Sequence, residues 1–302
     1  MKEINKLLKD KNIITHSYKK IGNVFIVDTN KGKYVLKKKS NKDYIYNYLD
    51  TRNFNYYPKI YDLDNYTLTE YVEDINIPDE QRIIDLIDLT SLLHNKTTHY
   101  RETTEDDYKK IYEDLSNNYE YLYEYYNDLI TIIDSHVFMS PSEYLLSRNV
   151  SFIFKSITEG KKYVEKFLSN VSDMNKMRVS IVHNNLDLSH YIRNNHEYLI
   201  SWDKSKIDIP VFDLYILYNK NYALVDFYEI LKRYEKNYPL KKYELELFFI
   251  LITMPSKIEF NDTEYNMCYK ISNEIDRLYK SHDLIEQYKK SIVNNWFFTI
   301  IF

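Results

Sequence analysis

The chain has 302 residues, of which 44% are hydrophobic and 28% charged, a balance that excludes a disordered chain and allows two lobes with a buried core. Its net charge of −4 shows no basic excess, so a nucleic-acid partner is not expected. With one cysteine, no signal-peptide pattern and no apolar run of the ~20 residues that span a bilayer, we expect a cytoplasmic protein without a membrane partner.

The first 75 residues read as a small β-rich lobe. Short β-branched and aromatic runs alternate with turn signals, which is typical of hairpins. A polar, proline-containing segment at 73–79 follows them and is the best candidate for a hinge. We predict, in chain order, a hairpin over 24–39, a helix over 42–49, a strand from Pro58 and a strand over 66–72.

From residue 80 onward the apolar spacing is helical, so we predict an α-helical lobe over 76–302. In 106–133 apolar residues recur at alternating steps of four and three. A partner-binding coiled coil and a helix packed in its own lobe both fit this stripe, and we favour the second. The apolar end, 296–302, is predicted to dock on the core. The predicted helices are 82–94, 106–133, 149–170, 214–237, 240–253, 261–280 and 284–294, with a loop and short strands over 179–214.

The segment 181–214 has the spacing of a phosphoryl-transfer site. Kinase-type catalytic loops run H-x-D-x-x-x-x-N and are followed by a strand that ends in a metal-binding Asp. Here His183 begins such a loop, with Asn185 at the position of the general base and His190 at that of the metal-binding Asn. The following strand ends in Ser201, where the second Asp is expected.

The order of hairpin, hinge, loop and helical lobe resembles the aminoglycoside phosphotransferase and choline kinase superfamily, and within it the bacterial spore-coat kinase-like branch. The motifs that carry this resemblance are VHNNLDLSHYI, LISWD and IPVFDL, and it covers nearly the whole chain. It implies a two-lobed protein-kinase-like α+β fold. Abundant Lys, Asn, Ile and Tyr, whose codons are rich in A and T, also suggest a low-GC bacterium.

The resemblance also implies roles for individual residues. Lys37, on the return strand of the hairpin, matches the lysine that neutralises nucleotide phosphates, and Glu70 would lie in the same nucleotide site. Asp203 matches the second acidic residue of the strand-end pair. His183 and Asp213 match residues that anchor the catalytic loop and have structural roles.

Three departures from the motif remove the groups that do chemistry. The Asn185 amide is not basic, and a general base typically contributes ~10²–10⁴-fold to rate. Ser201 and His190 are poor ligands for Mg²⁺, a hard cation that prefers anionic oxygen. With three glycines the chain also has no glycine-rich phosphate loop. At most, we therefore expect binding of ATP or another nucleotide that is weak or independent of Mg²⁺.

Three hypotheses about function follow. The first is a catalytically degenerate, pseudokinase-like protein that binds a protein partner or a small molecule, with the spore-coat association that the resemblance implies. The second is an active small-molecule kinase with displaced acids, in which Asp187 is the base and Asp203 holds the metal. The third is a structural coat or scaffold component without a ligand.

Overall fold

The chain forms a two-lobed α+β fold, with a small antiparallel sheet near the N-terminus and a large helical part after it. This confirms the predicted fold class. The computed structural model describes the backbone of residue 8 and of residues 12–39 and 43–301, and the side chains of the same residues except 43 and 293–301.

The contacts within the chain define two compact units. The first holds Met1–Leu86 and His183–Lys206, and the second holds Ile87–Val182 and Ile207–Phe302. The first unit therefore combines the N-terminal part with the segment that carries most of the kinase-like motif. The predicted lobe boundary after residue 75 remains a prediction.

A five-stranded antiparallel sheet dominates the first unit, in the order β1–β2–β3–β5–β4. The predicted hairpin is confirmed as β2 and β3. Strand β1 was not predicted, because nearly all of its side chains are exposed and its sequence shows no apolar alternation. The strands are β1 (Thr15–Ile21), β2 (Val24–Thr29), β3 (Gly32–Lys38), β4 (Ile60–Leu63) and β5 (Tyr66–Glu70).

The remaining elements of the first unit are short. Helix α1 (Asp43–Thr51) lies where a helix was predicted and contributes the fully buried Ile45 and Leu49. A second hairpin consists of β8 (Tyr191–Arg193) and β9 (Glu197–Leu199).

The second unit is mainly helical. Its strands belong to a three-stranded sheet in the order β10–β7–β6, and the division between the two units falls inside α2. The helices are α2 (Asp79–Thr97), α3 (Glu105–Asp134), α4 (Pro141–Val171), α5 (Val211–Asn221), α6 (Phe227–Asn237), α7 (Lys242–Thr253) and α8 (Glu264–Ile301). The strands are β6 (His99–Glu102), β7 (Lys176–Val182) and β10 (Lys206–Asp208).

Three predicted helix boundaries were wrong. Helix α4 begins eight residues earlier than the predicted 149, because Ser140 and Glu143 form a capping box and proline stands at the first helical position. The predicted helix over 214–237 is two helices, α5 and α6, and Asp226 caps the second. The two helices predicted over 261–280 and 284–294 are the single helix α8, since the Ser-His-Asp between them does not break a helix.

The heptad stripe of α3 faces the core of its own unit, as the favoured interpretation predicted. Its buried residues are Tyr108, Leu115, Tyr119, Leu122, Tyr126 and Ile133. The Tyr119 hydroxyl donates to the carbonyl of Ile250 at 2.7 Å and lies 3.0 Å from the Thr253 hydroxyl. The stripe is therefore fixed by hydrogen bonds as well as by burial, and a coiled coil with a partner is not needed to explain it.

Within the described residues, no helix is both long enough and apolar enough to cross a membrane. The predicted docking of 296–302 on the core falls on side chains outside the described ones, although the backbone of α8 continues to Ile301.

Gly160 allows α4 to lie against α3. A Cβ atom at this position would be 2.1 Å from the Tyr119 hydroxyl oxygen and 2.2 Å from the ring carbon that carries it. No rotamer of a methyl group relieves such an overlap, so the tyrosine or the helix would have to move.

We predict that Gly160→Ala destabilises the protein despite the better helix propensity of alanine. The overlap with Tyr119 should lower the free energy of unfolding by ~1–3 kcal/mol, the usual cost of overpacking a core. Urea denaturation followed by circular dichroism measures the change. The matched control is Lys162→Ala, an exposed position on the same helix. Equal stability of the two variants would contradict the close approach.

Candidate functional site

A cavity of about 270 Å³ lies within the first unit, lined by strands of the sheet, α1 and the segment around residues 199–203. Most of its lining is aliphatic or aromatic, and it includes the charged residues Lys37, Lys38, Glu70 and Asp203. Representative apolar and aromatic lining residues are Val35, Tyr46, Tyr57, Tyr71, Ile200 and Trp202.

Lys37 reaches this cavity because of the alternation of side chains along β3. Its neighbour Leu36 is buried in the core of the sheet, so Lys37 lies on the opposite face. There its ammonium group forms an ion pair with the Asp203 carboxylate. Both side chains are about one third exposed, at 35% and 37%. The structure thus brings two of the predicted site residues together, and the charge of each neutralises the charge of the other.

Asp203 owes its position to a buried tryptophan. The indole of Trp202 is 3% exposed, and its Nε1–H donates to the Leu199 carbonyl at 2.8 Å. Just before it, Ser201 has a left-handed φ of +66°, which turns the chain out of β9 into a 3-10 turn over Trp202–Lys204. Aromatic rings surround the indole, with centroids 4.9 to 6.4 Å away, from Tyr46, Phe54, Tyr57 and His183.

Tyr46, Tyr57 and Trp202 were not identified as site residues from the sequence. Tyr46 was read as part of the helix predicted over 42–49 and Trp202 as part of the LISWD motif, and single tyrosines carry little signal in a chain with 33 of them. The Tyr57 hydroxyl donates to the Asp50 carboxylate. Burial, followed by this hydrogen bond and the charge of Asp50, raises the pKa of Tyr57 well above its ordinary value, so the hydroxyl stays protonated.

His183 begins the catalytic-loop motif as a buried residue. Its Nε2 atom lies 2.8 Å from the Ile200 carbonyl oxygen, which ties the start of the loop to the strand end that carries Ser201. Asn184 has a φ of +56°, and its amide donates to the Lys204 carbonyl at 3.1 Å. The anchoring role expected for His183 stays a prediction.

His190 and Asp187 form hydrogen bonds within the motif loop. Nδ1 of His190 lies 2.7 Å from the Asn185 carbonyl oxygen. Asp187 accepts hydrogen bonds from the Ser189 amide at 2.9 Å and the Ser189 hydroxyl at 2.6 Å, and so caps the 3-10 turn over Leu188–His190. Among the described residues, the cavity lining includes Ser201 but not Asn185, Asp187 or His190.

The residues at this site do not fit a magnesium ion. Mg²⁺ requires near-octahedral oxygen ligands and is usually held by one or two carboxylates together with substrate phosphates. Asp203 is the carboxylate nearest to the expected position and is bound to Lys37. Glu70 also belongs to the lining, but its carboxylate lies on the opposite face of β5, where it accepts a hydrogen bond from the Tyr61 hydroxyl at 2.9 Å. The described part of the chain contains no group of three His, Cys, Asp or Glu residues that could hold a metal.

The connection between β1 and β2 is a turn of only two residues, since Ile21 pairs with Val24. Gly22 has a φ of +56°, as the first position of a type II′ hairpin turn requires. Kinases cover nucleotide phosphates with a longer glycine-rich loop, whose backbone amides face the ligand. This turn cannot enclose a phosphate chain in that way.

Asp213 lies in the second unit and is fully buried. Its carboxylate is 3.1 Å from Nε2 of His94, and Nδ1 of His94 is 2.7 Å from the Tyr234 hydroxyl. Burial raises the pKa of Tyr234 well above its ordinary value, so it remains a neutral hydrogen-bonding group. These contacts place Asp213 in a buried polar network, and the structural role expected for it stays a prediction.

Comparison with solved structures identifies the fold. An aminoglycoside phosphotransferase from Alicyclobacillus acidocaldarius superposes with a TM-score of 0.71 over 93% of both chains, at 11% sequence identity. The chain has the protein-kinase-like fold of the aminoglycoside phosphotransferases. No protein-family model matches the sequence, and no curated protein matches it.

Two further structures share this fold. A spectinomycin phosphotransferase in complex with AMP has a TM-score of 0.58 at 12% identity and covers 93% of this chain and 98% of its own. A glucosamine kinase in complex with glucosamine, ADP and inorganic phosphate has a TM-score of 0.53 at 9% identity, over 94% of this chain and 83% of its own. At such identities the likeness concerns the fold, and the spore-coat branch stays a prediction.

We predict that Ser201→Gly stabilises the protein. A left-handed φ is strained for serine and free for glycine, so the substitution should raise the free energy of unfolding by up to ~1 kcal/mol. Urea denaturation measures the change. Ser201→Ala, which also removes the hydroxyl but keeps the Cβ atom, serves as the control and should give no gain. A gain with both variants would trace the effect to the hydroxyl instead of the backbone.

Proposed function

We propose that this chain is a catalytically degenerate member of the phosphotransferase fold, a pseudokinase-like protein that acts by binding a small molecule or a protein partner. We extend the proposal to an association with the bacterial spore coat, which the sequence resemblance implies. The cavity of the first unit is the proposed small-molecule site, with Lys37 and Asp203 as its charged groups.

The ion pair between Lys37 and Asp203 is the observation that carries this proposal. In a kinase the lysine binds the nucleotide phosphates and the acidic residue at the strand end binds Mg²⁺. Here the two corresponding residues, Lys37 and Asp203, form an ion pair with each other. The absence of a carboxylate at Asn185 removes the general base as well. Phosphoryl transfer depends on positioning and charge stabilisation, and both depend on these groups.

An active kinase with displaced acids is the second candidate, because Asp203 does line the cavity. In that mechanism Asp203 would leave Lys37 to bind a metal, and Asp187 would serve as the base. The capping bonds from Ser189 to Asp187 weigh against it, since they engage the carboxylate in the turn.

We predict no phosphoryl transfer by the purified full chain. ADP formation from ATP and Mg²⁺ is measured with hydroxyl-bearing acceptors such as spectinomycin and glucosamine, which the structural neighbours are named for or bind. The rate should equal that of the Asp203→Ala and Asp187→Ala variants and of the buffer. Turnover near the ~1–100 s⁻¹ of kinases, abolished by either substitution, would establish the second candidate instead.

A further inference from the structure

We propose that the cavity of the first unit takes a flat, uncharged heteroaromatic ligand of nucleoside size, without phosphates and without a metal ion. This inference rests on the proposed binding function and names the class of ligand for the same site.

The charge of the cavity is the first argument. Lys37, the cation that would meet a phosphate group, already has Asp203 as its counter-ion. A nucleotide would have to break that pair or place its phosphates beside a carboxylate, and like charges at short range repel. The other charged residues of the lining, Lys38 and Glu70, follow Lys37 and Thr69 along their strands, so their side chains lie on the opposite face of the sheet. A neutral ligand meets no such penalty.

The size and chemistry of the walls are the second argument. A volume of about 270 Å³ is near the lower end of the ~300–1,000 Å³ usual for ligand pockets, which suits a base with its sugar better than a triphosphate. Tyr46, Tyr57, Tyr71 and Trp202 offer ring faces and edges, which stabilise a planar aromatic ligand.

A few polar groups are available to orient such a ligand. Thr67 and Thr69 of β5 line the same cavity, on the face of the strand opposite to the buried Leu68. This combination of apolar walls with a small number of polar groups is typical of small-molecule sites. The two-residue turn at Gly22 adds no backbone cradle for phosphates.

Binding is tested on the full chain by isothermal titration with adenosine, guanosine, cytidine and uridine and with the mono-, di- and triphosphate of each, with and without Mg²⁺. We expect at least one nucleoside to bind about tenfold more tightly than its triphosphate, a difference of 1.4 kcal/mol, with no effect of Mg²⁺. Binding that strengthens with each added phosphate, or with Mg²⁺, would overturn the proposal. The absence of binding by all four nucleosides would overturn it as well.

Two variants test the charge argument separately. Asp203→Asn releases Lys37 from its counter-ion and should shift the ratio of ATP to nucleoside affinity towards ATP by about tenfold. Asp62→Asn is the matched control, because Asp62 pairs with Lys39 on the same sheet and does not line the cavity. It should leave the ratio unchanged. An unchanged ratio of ATP to nucleoside affinity in Asp203→Asn, or an equal shift in both variants, would contradict the charge argument.

The titration tests the class of ligand and the ADP assay tests the proposed function, so either can be contradicted while the other holds. ATP turnover removed by Asp203→Ala would end the proposed function whatever binds best. Tight ATP binding without turnover would keep the pseudokinase-like function and overturn only the assignment of a phosphate-free ligand.

Discussion

The burial of Trp202 is the constraint on which the first unit depends. Its indole fills the space between α1, the start of the motif loop and the end of β9, and its N–H satisfies a strand-end carbonyl. Burying an aromatic ring of this size is among the largest single contributions to a core. Because the tryptophan is fixed, its two neighbours have fixed positions too: Ser201 in the left-handed turn and Asp203 beside Lys37.

In this chain the phosphotransferase-like fold is combined with a sequence that departs from the motif at the positions expected to do chemistry. His183 and Asp213 make buried polar contacts. Under the proposed function, Asn185, Ser201 and His190 stand where reactive or metal-binding groups are expected. The fold alone therefore does not establish an activity, and function has to be argued from the ion pair and the cavity.

The sequence predicted what depends on local pattern. The β2–β3 hairpin follows from its turn residues, and the burial of the α3 stripe follows from its heptad spacing. Strand β1 could not be predicted, because it pairs at the edge of a sheet with exposed side chains. The resemblance assigned Lys37 and Asp203 to the same site, but their ion pair could not be predicted, because the two residues are 166 positions apart and meet only in the folded chain. Asp187 could be proposed as a base from its position, whereas its capping bonds appear only in three dimensions.

The left-handed backbone at Ser201 bears on the degenerate site that we propose. Aspartate and asparagine tolerate this conformation better than serine does, and the chain adopts it with serine in place. The backbone therefore has a conformation that suits the carboxylate expected at this position. Under that proposal the departure lies in the side chain alone, and a substitution to aspartate would leave the turn in place.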